Sequence, residues 1–246
     1  MPDVHRKPPL LATPLHTSII GSRVLVYEEV TSTNDRALQL RGDGLVVVAD
    51  RQTAGRGRHG RSWASAPGLG LWFSIGFDGP CEGLAFAAPL SVRDVLNSYG
   101  CAAVKWPNDV LLNGRKVCGI LLESRRNRMA LGIGINVHHQ AADFPEELRA
   151  KATSIELATG HCVDRGTLLR EVLTALDARI VSLRAGKRDA VHAEWSEACG
   201  VVGRRVRHHD RVGTVRAVDR DGTLLIETDK GVERVLLGEI VELNGA

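Results

Sequence analysis

The residues best placed to do chemistry lie in one run, Arg51-Gln-Thr-Ala-Gly-Arg-Gly-Arg-His-Gly-Arg-Ser-Trp63. Gly55, Gly57 and Gly60 alternate with Arg56, Arg58 and Arg61, and the indole of Trp63 closes the run. Glycine admits positive φ and close approach of a ligand to the backbone. Arginine supplies a permanent charge on a planar fork of donors that matches phosphate or carboxylate. The run therefore reads as a mobile, anion-seeking loop, with a solvated basic hairpin as its plain alternative.

Its Gly-x-Gly-x-x-Gly spacing marks a dinucleotide site only between a strand and a helix. Here residues 45–49 read as a strand, but the apolar run 69–77 after the loop reads as a second strand, which excludes that architecture. A protein-kinase glycine loop has the right flanks, yet no His-Arg-Asp or Asp-Phe-Gly signature follows, and no Walker A motif is present.

Further polar groups recur along the chain. Thr31-Ser-Thr-Asn34 offers hydroxyls and an amide at a helix start, suited to a small neutral head group or simply to capping. Lys105-Trp-Pro-Asn-Asp109 leads into a hairpin turning at Asn113-Gly114, with Lys116 where its second strand begins. Asn108 and Asp109 read as turn formers or ligand contacts, Lys116 as a strand-edge guard or a cation for chemistry, and Trp63 and Trp106 as core aromatics or stacking surfaces. Gly132-Ile-Gly-Ile-Asn136 is a strand whose glycines permit close approach.

The elements that would hold these groups follow from periodicity. Strands are expected at 23–27, 45–49, 69–77, 110–112, 117–123 and 131–137, with a helix at 84–99 and later helices at 154–159, 166–185 and 187–199. Strands first and helices late indicate an α+β domain over residues 23–200, preceded by a proline-rich tail over 1–22. Short strands at 204–208, 211–218, 222–228 and 231–236, joined by Asp-Arg-Asp-Gly and Asp-Lys-Gly turns, indicate a small β-barrel over 201–246 that leans on the main domain.

With 43% hydrophobic residues and a net charge of +3, the 246-residue chain can bury a core and is too balanced to be a nucleic-acid coat. Five widely spaced cysteines form no Cys-x-x-Cys pair and read as reduced thiols. The N-terminal stretch does not read as a signal peptide and no apolar run is long enough to cross a bilayer, so a cytoplasmic protein is expected. The adjacent pairs His138-His139 and His208-His209 read as solvent-facing, and no metal ligands are assigned.

In this order, Thr31 to Asn34, Gln52 to Trp63, Lys105 to Asp109, Gly114-Arg-Lys-Val-Cys-Gly-Ile-Leu121 and Gly132 to Asn136, the sequence resembles the biotin protein ligases. The resemblance covers nearly the whole chain from about Arg23. It implies a class-II-synthetase-like mixed sheet with an SH3-like C-terminal domain. It implies activation of biotin by MgATP to biotinyl-5′-AMP, then transfer to a lysine of a biotin carboxyl carrier domain of an acyl-CoA carboxylase. By motif position it assigns biotin to Ser32, Thr33, Asn34, Gln52, Gly55, Arg56, Gly57, Arg58, Lys116 and Gly119. It assigns ATP and the adenylate to Arg58, Arg61, Trp63, Asn108, Lys116 and Asn136, with Lys116, Arg58 and Asp109 as the catalytic set, Asp109 handling metal or assisting the acceptor lysine.

His59 departs from the pattern, standing where the family commonly has another basic residue. The front of the chain differs too: the short proline-rich segment does not match the DNA-binding domain of some members, so DNA binding is not expected. The basic stretch 204–211 lies on strands without aromatic partners. A monomer or weak homodimer is expected. The competing readings are a lipoate ligase or octanoyltransferase on the same core, a biotinyl-AMP-sensing DNA regulator, and a structural adaptor.

Overall fold

The structure, a computed structural model, describes residues 15–236, 238 and 240–243. The first fourteen residues of the expected tail lie outside the described residues. Seven strands form the main sheet: β1 (Val24–Val30), β2 (Leu45–Gln52), β3 (Gly70–Asp78), β4 (Ala102–Lys105), β5 (Asp109–Leu112), β6 (Arg115–Arg125) and β7 (Arg128–Asn136). Their spatial order is β1-β2-β3-β7-β6-β5-β4. Only the β1–β2 pair is parallel, and the short helix α1 (Thr33–Gln39) belongs to its crossover.

Side chains alternate across a strand, so a two-residue repeat assigns each face a composition. In β3, Leu71, Phe73, Ile75 and Phe77 are buried in the main core together with Leu131, Ile133 and Ile135 of β7. They meet α2 (Leu84–Leu96) and α4 (Arg165–Arg184), whose Leu84, Leu90, Leu169 and Val172 are completely buried. The intervening residues face the other way. Register pairs Ser74 with Gly132, Gly132 with Leu121, Gly134 with Gly119, and Gly119 with Asp109, so one polar, glycine-rich face is built across four strands. Gly-Ile-Gly-Ile-Asn is thus a strand with isoleucines for the core and glycines for a site.

The Asn113-Gly114 turn joins β5 to β6 with positive φ at both residues (48° and 80°), as a tight hairpin of this sequence requires. Helices α3 (Ile155–Thr159), α4 and α5 (Arg188–Cys199) fall late, as the sequence indicates.

At the N-terminal end, Asp177 on α4 is only 5% exposed. It accepts the backbone N–H groups of Ser18, Ile19 and Ile20 at 2.7–2.8 Å, so this part of the expected tail is stapled to the helix.

The C-terminal segment forms five antiparallel strands, β8 (Arg205–His208), β9 (Arg211–Val218), β10 (Leu224–Thr228), β11 (Gly231–Val235) and β12 (Val241–Glu242), in the order β11-β10-β9-β8-β12. Among the described residues this is a sheet with two edges and no closed barrel. Val206, Val215, Leu224 and Ile226 join the same core as the main sheet. Trp106, buried just before the cis Trp106–Pro107 bond, donates its indole N–H to the Gly222 carbonyl at 2.8 Å. No helix among the described residues is long and apolar enough to cross a membrane.

Candidate active site

The polar face of the sheet is roofed by residues 53–69, between β2 and β3. Three backbone bonds fold this loop on itself: Gly57 N–H to Arg61 O at 2.7 Å, Trp63 N–H to Gly55 O at 2.9 Å and Gln52 N–H to Ser65 O at 3.4 Å. In the structure the loop is a cross-bridged ribbon, with exposed His59 at its tip in the left-handed region (φ 56°). Histidine reaches that region more readily than β-branched residues do.

Gln52 ties the ribbon to the start of α1. Its Oε1 accepts from Thr33 N–H at 2.8 Å, and its Nε2 donates to Ser65 Oγ at 3.0 Å. Ser74 Oγ lies 2.7 Å from Thr33 Oγ1 and donates to Asn34 Oδ1 at 2.6 Å. Asn34 in turn donates to Glu123 Oε2 at 2.7 Å. Ser32, also buried, occupies the N-cap position, yet its hydroxyl caps no backbone amide.

The three loop arginines have different surroundings. Arg56 forks onto Asp35 through two 2.8 Å bonds and reaches Glu123 at 3.2 Å. The Arg56 hydrogen bonds hold the Asp35 carboxyl below the usual carboxylate range, and Arg56 itself is pushed up by Asp35. Its charge is therefore balanced within the protein. Arg61 is exposed. Arg58 points inward: its Nη1 donates to Asn108 Oδ1 at 2.9 Å, while its Nη2 is buried with no hydrogen-bond partner. Burial pushes the Arg58 pKa down, opposed by the charge of Asp109 and reinforced by that of Arg61. A guanidinium in this condition favours an anion, because both the charge and the orphaned N–H would be satisfied.

Asn108 is fixed from its other side by donating to the Ile120 carbonyl at 2.6 Å. Asp109 holds Lys116 at 2.7 Å, and Lys116 Nζ lies 5.3 Å from the Trp63 ring centre. The indole of Trp63 lies on the sheet itself. A Cβ on Gly119 would come within 2.6 Å of the ring, and one on Gly134 within 2.8 Å, so only this glycine pair accepts a flat ring here. At the end of β7, Asn136 donates to Thr153 O at 3.0 Å. The adjoining residues pair with Lys116, through Lys116 N–H to Lys151 O and Thr153 N–H to Lys116 O, both 2.8 Å.

The structure thus brings Ser32, Thr33, Asn34, Gln52, Gly55, Arg56, Arg58, Trp63, Asn108, Asp109, Lys116, Gly119 and Asn136 to one face. A floor of glycines, two inward cations and a set of fixed amides and hydroxyls suit a ligand with a neutral polar head and an anionic end. A biotin–[acetyl-CoA-carboxylase] ligase of Mycobacterium tuberculosis is 32% identical over 96% of this chain and 97% of its own length. The chain belongs to the biotin protein ligase family.

Residues 26–139 match the Biotin/lipoate A/B protein ligase family. The bifunctional ligase/repressor BirA of Bacillus spizizenii is 32% identical over 92% of this chain and 76% of that protein. Among solved structures, a biotin protein ligase from Aquifex aeolicus in complex with biotin and ATP superposes with a TM-score of 0.77. It is 30% identical, covering 91% of this chain and 100% of that one.

Several residues of this candidate site escaped the sequence reading. Glu123, Asp35, Ser65 and Ser74 all anchor assigned residues. Alternation along β6 alone would have placed Glu123 on the same face as Gly119. Asp50 and Arg165 are a further case: Arg165, at the start of α4, donates to both Asp50 (2.9 Å) and Gly70 O (3.0 Å), fastening the base of the loop.

Proposed function

We propose that the chain activates biotin with ATP as biotinyl-5′-AMP, releasing pyrophosphate, and passes the biotinyl group to a lysine of a biotin carboxyl carrier domain, releasing AMP. Family membership supports the reaction. The observation that carries the assignment of roles is the inward, half-satisfied Arg58, which feels the charge of Asp109, the carboxylate that holds Lys116, while Trp63 lies on the Gly119–Gly134 floor.

In the first step a carboxylate oxygen attacks an α-phosphorus, so two anions must meet. Fixed cations offset that repulsion and stabilise the charge that develops on the phosphoryl oxygens. Lys116 meets the biotin carboxylate and α-phosphate, and Arg58 directs its free N–H toward the same charge. Ser32, Thr33 and Gln52 receive the ureido end, with Asn34 as their support. The backbone at Gly55, Arg56 and Gly57 lines the ligand, since the Arg56 side chain is committed to Asp35 and Glu123. Trp63 packs against adenine, and Arg61, Asn108 and Asn136 flank the nucleotide.

In the second step the acceptor amine attacks the acyl carbon and AMP leaves. Asp109, the carboxylate paired with Lys116, is the group assigned to take the proton released. Folding of the loop over the adenylate shields the anhydride from water.

The carboxylates on this face are engaged, Asp35 and Glu123 by Arg56 and Asp109 by Lys116. They do not make a resident Mg²⁺ cage. They fit a Mg²⁺ that arrives held by nucleotide phosphates and water, with Asp109 offering an oxygen. In this reading residues 23–200 carry both steps and residues 201–246 support the turn bearing Asn108 and Asp109.

Exchange of labelled pyrophosphate into ATP by the purified protein, with biotin, lipoate or octanoate, tests the assignment. Exchange with biotin alone is the expected result. Exchange with another acid instead would transfer the site to the lipoate branch, and none with any acid would sink the ligase reading.

A further inference from the structure

Beyond the polar face, we propose that the chain binds a borderline-soft divalent transition ion, Zn²⁺ in the first instance, through His138, Glu156 and Cys162. Their ligand atoms all lie within 4.8 Å of one another, and His138 Nδ1 is already 2.8 Å from Glu156 Oε2. The inference is independent of the reaction assigned above. It departs from the sequence expectation, which treated the two adjacent histidines as one solvent-facing pair.

The structure separates that pair. His139 is buried, stacked on Phe144 with centroids 5.1 Å apart and edge-on to Trp72, so it belongs to the core. His138 turns instead toward α3. The three donors come from three segments whose backbones are fixed. Glu156 N–H donates to Val137 O at 2.9 Å, locking the start of α3 to the end of β7. His138 N–H donates to Leu69 O at 2.8 Å. After α3 the chain reverses at Gly160 in the left-handed region (φ 74°), and His161 N–H donates to Thr159 Oγ1 at 3.2 Å, which delivers Cys162 to the cluster. Gln140 Nε2 donates to Glu156 Oε1 at 3.2 Å, leaving Oε2 turned to His138.

The donor set selects the ion. One imidazole nitrogen, one thiolate and one carboxylate oxygen suit Zn²⁺, whereas Mg²⁺ and Ca²⁺ take all-oxygen shells. Tetrahedral Zn²⁺ places its donors about 3–4 Å apart, so the cluster needs a small contraction of side chains that are exposed or half-buried. Three protein ligands leave the fourth position to water. Such an ion takes the sulfur as thiolate and the imidazole nitrogen without its proton, so protons leave to solvent on binding. The ion would lock residues 138, 156 and 162 together beside Asn136 and the 151–153 segment that brackets Lys116.

The test is titration of the full-length protein with Zn²⁺ against a chromophoric chelator, with thermal unfolding in parallel and Co²⁺ as a spectroscopic substitute. One ion per chain is expected, with a rise in melting temperature and a sulfur-to-cobalt charge-transfer band. Cys162→Ser and His138→Ala should each weaken Zn²⁺ binding by roughly 100-fold, and Cys162→Ser should abolish the cobalt band while leaving the circular dichroism unchanged. Equal affinity in wild type and both variants would assign the metal to other thiols and overturn the proposal. So would absence of stoichiometric binding to the folded wild type.

Discussion

The guanidinium of Arg58 donates to the side-chain oxygen of Asn108 at 2.9 Å, and the Asn108 amide is itself fixed on the Ile120 carbonyl at 2.6 Å. The loop cation is therefore aimed by a residue from the opposite side of the site. Arg58→Ala should lower biotin-dependent pyrophosphate exchange by roughly 100- to 1,000-fold while leaving the melting temperature nearly unchanged, since a desolvated charge contributes little to folding. Asn108→Ala keeps the charge and loses its aim, so a smaller drop in kcat, roughly 10- to 100-fold, is expected. Equal losses of activity and melting temperature in both variants would reduce the pair to a structural contact.

Lys116→Ala should abolish exchange, and Lys116→Arg should recover little of it, because the Asp109 contact and the Trp63 face position a compact ammonium. Single-turnover transfer from preformed biotinyl-5′-AMP separates the two steps. Loss of exchange with retained transfer would confine Lys116 to adenylation.

The Gly119–Gly134 floor sets a steric prediction. Gly134→Ala places a methyl where the Trp63 indole lies, 2.8 Å from its nearest atom. ATP affinity should fall by roughly 10-fold or more, with a shift in tryptophan emission that is absent in a Trp63→Phe background. Unchanged emission and affinity would show that the ring does not need the floor.

Asp177 supports a stability prediction away from the site. Asp177→Ala leaves three backbone donors without their charged acceptor, costing about 3 kcal/mol. For a chain of this size that corresponds to a melting temperature lower by roughly 6–12 °C. Activity per folded molecule should be retained, which pyrophosphate exchange below the transition would show.

The Arg56–Asp35 pair gives a pH dependence. The Asp35 pKa in the folded chain is depressed below its ordinary 3.8. Its contribution is therefore complete above that value and disappears as the pH falls through the lower, folded value. Both partners are about a third exposed, so the effect is modest. Asp35→Asn should flatten the stability–pH curve below about pH 4. An identical acid limb in the variant would place the acid sensitivity elsewhere.

Much of the fold was legible because period-two runs fix strand faces locally. The residues 69–77 and 131–137 revealed both their strands and, through glycine, the face that receives a ligand. The assigned site residues were legible as short motifs in a fixed order, a pattern that needs no knowledge of distance. Their supports were not. Arg56 finds Glu123, Gln52 finds Thr33, and Trp106 finds Gly222 only after strands far apart in sequence become neighbours. Asp177 went unread as well: its carboxylate sits among the buried Val172, Leu173, Leu176 and Ile180 of α4, and its partners at Ser18, Ile19 and Ile20 lie more than 150 residues away. The C-terminal strands were recognised from their turns, but their sharing of the main core depends on Val206, Val215 and Leu224 joining buried residues far away in sequence, which periodicity does not encode.

The hydrogen bond from Trp106 to Gly222 makes the C-terminal sheet a hanger for the turn that presents Asn108 and Asp109. An interruption between residues 200 and 222 would not release two working halves. It would strand an indole N–H in the interior and slacken the turn that aims Arg58, so inheritance of the ligase core and of its C-terminal segment is coupled, and recombination that exchanges one without the other should yield a chain that binds biotin poorly before it fails to fold.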